Sequence, residues 1–195
     1  MCLTGLSNTV YKTMSARFTA YRRMKRNRDA SKVAEAMLSA SIIGISLIAL
    51  QCKNLEQANH MSAATIILST FLLVLSLLFQ GLGYEKRMEN YHSCGNELNR
   101  LYRLMKHDEK VLSEEKQKEK ELVYLQQYED LLVKYNLNHT SFDYCYSRTL
   151  MADEEVGFFS RILLKLRYYV LDVYMLYWLI AIVPVMWIAL YFMNL

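Results

Sequence analysis

The sequence predicts an all-α integral membrane protein, and two features of its composition support this fold class. The 195 residues include only one proline and six glycines, whereas an all-β chain, with its many turns, normally carries more of both. Charged residues make up 22% of the chain, yet three long stretches contain almost none: Val33–Leu50, Met61–Leu82 and Val170–Phe192. A soluble domain spreads its apolar residues periodically, so this clustering indicates membrane spans.

The three apolar stretches predict two close N-terminal transmembrane helices and a third near the C-terminus. A helix needs roughly 20 apolar residues to cross a hydrocarbon core of about 30 Å. Met61–Leu82 meets this length without any charge, Val170–Phe192 carries only Asp172, and Val33–Leu50 suffices if the helix begins near Ala30. A cleaved signal peptide is disfavoured because a long, mostly polar segment comes first. The predicted organisation is a basic juxtamembrane helix (1–32), a two-helix transmembrane hairpin (33–82), a cytosolic helical region (83–155), and an interfacial helix with the third span (156–195).

Lysine and arginine residues predict the orientation of the spans. Residues 7–32 contain eight of them and one acid, whereas the connection between the first two spans contains only Lys53. Lys86 and Arg87 follow the second span, and three further basic residues precede the third. Because cytoplasmic segments carry the excess of Lys and Arg, we expect the N-terminus and residues 84–169 to be cytoplasmic.

The basic helix also carries an apolar stripe, since Tyr11, Met14, Phe18 and Tyr21 recur three or four residues apart. A basic amphipathic stretch beside a span is typical of a helix that rests on anionic lipid. The positive-inside signal alone would also explain the charge. Direct binding of nucleic acid is disfavoured, because the charge is juxtamembrane and residues 84–160 are net acidic.

Polar side chains recur along one face of each of the first two spans, and they form a candidate pore lining. Hydroxyls in membrane helices commonly bond their own backbone or a neighbouring helix, and this alternative stays open. A pore would require several copies, because one chain with two or three spans cannot enclose a wide channel. Glu35 could select cations or pair locally with Lys32 or Arg28. The candidate pore-lining residues are Glu35, Ser39, Ser46, Ser62, Thr65, Ser69, Ser76 and Gln80.

A second stripe on the first span consists of small residues, Ala36, Ala40 and Gly44, which repeat every four positions. Small residues at this spacing let helices approach closely. The stripe is therefore a candidate surface for helix packing.

The predicted cytosolic region contains two helical segments. A heptad seam covers residues 84–112 at Met88, Tyr91, Gly95, Leu98, Tyr102 and Met105. A second apolar face follows a charged run, at Leu122, Leu125, Leu132 and Tyr135. A folded-back hairpin or one long helix in a parallel oligomer would bury both. The polar and aromatic segment Asn136–Thr149 predicts a structured loop, and residues 156–169 predict an interfacial helix that leads into the third span.

Motifs of catalysis and cofactor binding are missing from the sequence. It contains no glycine-rich phosphate loop, no HExxH, no paired CxxC and no GxSxG. The scattered group His92, Cys94 and His107, and the nearby pair His139 and Cys145, give only weak hints of a metal site or a Cys–His pair. The four cysteines are expected to be reduced thiols. We therefore expect neither an enzyme nor a cofactor.

Two motifs resemble a known family. One is the run Arg17–Asn27 (RFTAYRRMKRN) before the spans, and the other is the Tyr–Leu–Leu–Tyr–Asn–His–Asp–Tyr pattern from Tyr128 to Tyr144. Over nearly the full length the chain resembles the SLATT family, the SMODS- and SLOG-associating two-transmembrane effectors of bacteria, and most closely its fifth subfamily. The third apolar stretch exceeds the family's nominal two spans. The matching residues, candidates for contact with a signal or partner, are Arg17, Arg22, Arg23, Asn138, His139, Asp143 and Tyr144.

The resemblance implies a membrane effector of an anti-phage system, which perforates or depolarises the bacterial inner membrane when triggered. It implies a homo-oligomer in the lipid bilayer, triggered by a soluble signal-generating protein or a nucleotide second messenger. The alternative is a non-conducting membrane adaptor that docks a soluble partner through its cytosolic helices. An enzyme acting on lipid or nucleotide is the weakest hypothesis.

Overall fold

The computed structural model describes residues 3–137, 140–149 and 157–168 and, singly, Tyr177, Leu179, Ile182 and Met186. Over these residues the all-α prediction is confirmed, because they form helices joined by short connections. Most of the predicted third span, with Asp172 and Pro184, lies outside the described residues. The helices are α1 (Leu3–Gln51), α2 (Leu55–Gly81), α3 (Tyr84–Val111), α4 (Glu114–Tyr135), α5 (Ser141–Thr149) and α6 (Phe158–Leu166).

The chain divides into two compact units, and α1 contributes residues to both. Unit 1 comprises Met1–Lys25 and Glu85–Tyr168, and unit 2 comprises Arg26–Tyr84 and Tyr169–Leu195. The helix is continuous through the predicted boundary at residue 32. Its basic segment and its first apolar segment are therefore parts of one helix.

Short connections separate the helices at residues suited to ending or starting them. Asn54 starts α2, because its side chain accepts hydrogen bonds from the backbone N–H groups of Glu56 and Gln57 at 3.0 and 3.4 Å. Gly83 has a φ of 60°, a left-handed conformation that costs glycine little, and it separates α2 from α3. Asn136 ends α4 in the left-handed region with a φ of 42°.

Unit 1 is built around the first half of α1, which runs antiparallel to α3. The apolar stripe of the basic helix packs on α3, so our prediction that this stripe rests on lipid is wrong. The aromatic rings of the stripe pack against the heptad seam of α3, where protein and not a lipid headgroup layer surrounds them. The contacts that show this are Ser7 with Glu109, Tyr11 with Tyr102, Phe18 with Gly95 and Tyr21 with His92.

Helix α4 folds back on α3, an arrangement that the sequence left open. Lys134 and Tyr135, at the end of α4, both donate to Glu97 at 2.7 Å. Lys120 and Tyr124, near its start, donate to Asp108 at 2.6 and 2.7 Å. The core between α1, α3 and α4 contains Val10, Met14, Cys94, Leu98, Leu101, Met105 and Tyr124. Leu122, which we assigned to the buried face, is 72% exposed, because Tyr124 and Leu125 occupy the face toward the core.

The predicted loop at residues 136–149 is also wrong, because Ser141–Thr149 forms α5. Thr140 and Asp143 hold its first turn in a reciprocal arrangement. The Thr140 hydroxyl donates to Asp143 at 2.8 Å, and the Asp143 backbone N–H donates to the Thr140 hydroxyl at 3.2 Å. This capping box stabilises the start of a helix whose composition is otherwise typical of turns.

Gly95 provides a test of the packing between α1 and α3. A Cβ atom at this position would lie 2.9 Å from Cε1 of Phe18, so we expect Gly95→Leu to lower the free energy of unfolding by about 1–3 kcal/mol through overpacking. Urea unfolding of the full chain in detergent, followed by far-UV circular dichroism, measures this.

The matched background for this test is Phe18→Ala. Removal of the ring leaves space for the leucine, so the two substitutions together should cost less than the sum of their separate effects. Strict additivity would show that the ring and the glycine are not in contact in the folded chain.

Unit 2 contains the apolar parts of α1 and α2. Both helices are long and apolar enough to cross a membrane. Tyr177 is a described residue of the third apolar stretch, and its ring lies 5.5 Å from that of Phe79, with its hydroxyl 3.3 Å from that of Tyr84. The third stretch therefore contacts the end of α2 at this position.

Candidate functional site

The candidate signal-contact residues Arg23 and Asp143 form a buried pair in unit 1, although 120 positions separate them. The guanidinium of Arg23 donates from Nε to Oδ1 and from Nη2 to Oδ2 of Asp143, both at 2.8 Å. Asp143 is fully buried, and the Arg23 side chain is 15% exposed. A bidentate pair of this kind is strong and geometrically selective. It ties α1 to the first turn of α5.

Asp143 also accepts hydrogen bonds from Thr140 through its backbone N–H and its hydroxyl. Both carboxylate oxygens are therefore used, which is what a buried charge requires. The sequence reasoning missed Thr140. Its spacing of three residues before Asp143 is the signature of a capping box, and that signature could have found it.

An aromatic stack flanks this pair. The rings of Tyr146 and Tyr168 lie nearly parallel with centroids 4.1 Å apart, and Phe142 stacks on both at 6.3 and 6.1 Å. The guanidinium of Arg167 lies over the Phe142 ring at 5.0 Å. These contacts hold α5 against the end of α6, so Asp143 stands on a supported helix.

Arg17 and Arg22 differ in their surroundings although both lie on α1. Arg17 is 4% exposed, and its Nε and Nη1 atoms have no hydrogen-bond partner within the part of the chain that the structure describes. Arg22 is exposed, and it donates from Nη2 to the hydroxyl of Thr19 at 3.2 Å. The Arg148 guanidinium lies 6.0 Å from the ring centre of Tyr144. Asn138 and His139 lie outside the described residues.

Five hydroxyls of the candidate pore stripe bond the backbone of their own helix. Ser62, Thr65 and Ser69 on α2 donate to carbonyls three or four residues earlier, at 2.9, 2.8 and 2.6 Å. Ser39 and Ser46 on α1 do the same at 2.8 and 2.9 Å. Each of these donors is therefore satisfied without a second helix. This agrees with the alternative that hydroxyls in membrane helices bond their own backbone.

Among the described residues, the larger part of the stripe on α2 is exposed. Ser62, Ser69 and Gln80 are exposed, and Thr65 and Ser76 are half-buried. Glu35 on α1 is half-buried as well, and Arg28, one of its two candidate partners, pairs with Asp29 at 2.7 Å. The polar face of α2 is thus available to water or to another copy.

The small-residue stripe on α1 does not form the packed face within unit 2. Ala36 and Ala40 are exposed, and a Cβ at Gly44 would meet nothing within 4 Å. The buried face is made by Ala34, Leu38, Ser41 and Ile45.

Among the described residues, no group of three His, Cys, Asp or Glu side chains could hold a metal ion. Cys52, Cys94 and Cys145 are free thiols.

The family comparison decides what kind of protein these features belong to. The model of the SMODS and SLOG-associating 2TM effector domain family 5, SLATT_5, matches residues 3–190. The chain belongs to the SLATT family. The resemblance in the two motifs is therefore confirmed, down to the fifth subfamily. Neither the curated proteins nor the solved structures include a significant match to the chain.

As a SLATT protein, the chain is a two-transmembrane effector of a family associated with defence systems. Its two long apolar helices agree with a membrane protein. SLATT is a membrane effector family and not a known enzyme family. The arginine and aspartate cluster of unit 1 and the polar stripe of unit 2 are its two candidate sites.

Proposed function

We propose that this SLATT protein is an oligomeric pore-forming effector that depolarises the bacterial inner membrane during anti-phage defence. The observation that carries the proposal is the uncovered polar stripe of α2, on a helix long and apolar enough to span a bilayer. Several copies would place their stripes around a common opening. Perforation would kill an infected cell or stop its growth.

The hydrogen bonds of the stripe are compatible with a single copy in lipid and with an assembled oligomer. Because the hydroxyls of Ser62, Thr65 and Ser69 donate to their own helix, a single copy leaves these three donors satisfied in hydrocarbon. The lone pairs of the same oxygens can accept hydrogen bonds from water once a pore forms. Glu35 would add negative charge near one end of the opening, which favours cations.

The charge pattern supports the orientation that this function needs. The eight basic residues of 7–32 favour a cytoplasmic N-terminus, and with it a cytoplasmic location of residues 84–169. Unit 1 would then face the cytoplasm, where a soluble signal-generating protein or a nucleotide second messenger is available to trigger it.

Ser69→Leu tests the pore face directly. We expect this substitution to slow depolarisation several-fold at equal protein level, because leucine removes a polar group from the lining and adds apolar surface. A potential-sensitive dye in living bacteria, read after induction of the chain alone, reports the effect, and membrane fractionation shows that insertion is unchanged.

Thr70→Leu is the matched control. Thr70 is also exposed, and its hydroxyl also bonds its own backbone at 3.0 Å, but the residue lies off the stripe. Depolarisation should stay near that of the unsubstituted chain. Equal leakage in Ser69→Leu and Thr70→Leu would contradict this pore face. An inserted chain that never depolarises, yet captures a soluble partner through residues 84–149, would favour the adaptor.

A further inference from the structure

Arg17 is a buried cation whose hydrogen-bonding capacity is largely unused. Its side chain is 4% exposed, and its Nε and Nη1 donors meet no acceptor in residues 3–137, 140–149 or 157–168. The guanidinium interacts with the thiol of Cys94, a weak acceptor that is itself fully buried. Arg23, six residues later, differs sharply, because its fork is filled by Asp143.

Among the described residues, several positive charges act on the Tyr91 phenol together with Arg17. Burial raises the pKa of the Tyr91 phenol, and three arginines oppose this rise, namely Arg17, Arg23 and Arg87, while Asp143 adds to it. Three guanidinium groups therefore lie close enough to act on one hydroxyl, with one carboxylate among them. Asp143 compensates Arg23, whereas no carboxylate among the described residues pairs with Arg17.

An isolated buried charge is costly, and buried polar groups without partners indicate an ion or water that belongs to the site. The residual positive charge favours an anion. A phosphate oxyanion, with several acceptor oxygens and up to two negative charges, fits guanidinium groups better than a monovalent halide does.

We propose that Arg17 is the central ligand of a phosphate-binding site between α1 and α3 of unit 1. Arg87, exposed on α3, is a further positive charge that acts on Tyr91 together with Arg17. The phosphate comes from a free anion or from an acidic lipid headgroup, since both present the same oxygens. The site does not depend on whether the chain conducts ions.

Thermal unfolding of the full chain in nanodiscs tests this proposal. In phosphatidylcholine discs, added inorganic pyrophosphate at constant ionic strength should raise the unfolding midpoint saturably, by about 5–10 °C near 100 times Kd. In a second arm without free phosphate, replacing part of the phosphatidylcholine with phosphatidylglycerol should raise it instead if a lipid headgroup is the source. A shift in either arm supports the site and identifies the source.

Arg17→Met gives the sharper result, because methionine is an apolar replacement of similar length. Without pyrophosphate its midpoint should exceed that of the unsubstituted chain, since an uncompensated buried charge has been removed. With pyrophosphate or phosphatidylglycerol it should show no further shift. Arg17→Lys keeps the charge but loses the fork, and its response should be weaker than that of arginine.

Arg100→Met is the matched control, because Arg100 is an exposed arginine of α3 outside the candidate contact residues, and it should respond as the unsubstituted chain does. The proposal is overturned if neither arm shifts the unsubstituted chain, which would mean that water alone satisfies Arg17. It is also overturned if Arg17→Met keeps the full response or is less stable than the unsubstituted chain in the absence of anion.

Discussion

Asp143→Ala is expected to lower the free energy of unfolding of unit 1 by about 3–5 kcal/mol, because it leaves Arg23 buried without its partner. The carboxylate is fully buried and accepts two hydrogen bonds from that guanidinium at 2.8 Å. It also accepts from the Thr140 hydroxyl, so the substitution removes the capping box of α5 as well. Hydrogen exchange of the α5 amides in the full chain measures the loss locally.

The exposed Asp130 on α4 provides the matched control, and Asp130→Ala should change stability by less than about 0.5 kcal/mol. Removing both charges tests the mechanism further. The double substitution Arg23→Met with Asp143→Leu should lower the free energy of unfolding by less than the sum of the two single substitutions does. The reason is that the double variant removes both charges of the pair. If Asp143→Ala costs no more than Asp130→Ala, the pair contributes nothing to the folded state.

We also expect the stability of unit 1 to depend on pH through Asp108. Hydrogen bonds from Lys120 and Tyr124 lower the pKa of this carboxyl from 3.8 to about 2. A lowered folded-state pKa stabilises the protein above the unfolded pKa, and this stabilisation is lost as the pH falls through the folded pKa. Unit 1 should therefore lose about 1–2 kcal/mol as the pH falls from about 4 towards 2. The Lys120 side chain is half exposed, so solvent screens its interaction with Asp108. The loss of stability is therefore smaller than the full pKa shift of Asp108 would give.

The alkaline side depends on the partner of Asp108. Burial and the hydrogen bond to Asp108 raise the pKa of Tyr124 from 10.0 to about 12. A raised folded-state pKa gives stability that is complete below the unfolded pKa and declines as the pH rises from about 10 through 12. Urea midpoints measured across this pH range report both limbs.

Asp108→Asn separates the two limbs. It should remove the acid limb, because no carboxylate remains at this position, and it should weaken the alkaline one, because the charge that disfavours the phenolate is gone. Asp130→Asn should leave the whole profile unchanged. A profile of Asp108→Asn that still falls between pH 4 and 2 by the same amount would assign the acid limb to other groups.

Local patterns were enough to predict the helical class, the two apolar helices and the family. Periodicity and hydropathy are read within one turn or one span, so neighbouring residues alone determine them. They were insufficient at α5, where the polar and aromatic composition of 141–149 suggested a loop. The capping box and the buried pair with Arg23 outweighed that composition, and the second of these lies 120 positions away in the sequence.

The sequence determined the fold class, the positions of the apolar helices, the polar stripe of α2 and membership in the SLATT family. The tertiary structure decided that α4 folds back on α3, that the stripe from Tyr11 to Tyr21 packs on protein, and that Arg17 is buried while Arg22 is exposed. Residue type and spacing are the same for a lipid-facing and a protein-facing helix surface. Which surface is buried depends on free energies of contact between distant segments, and these exist only once the chain has folded.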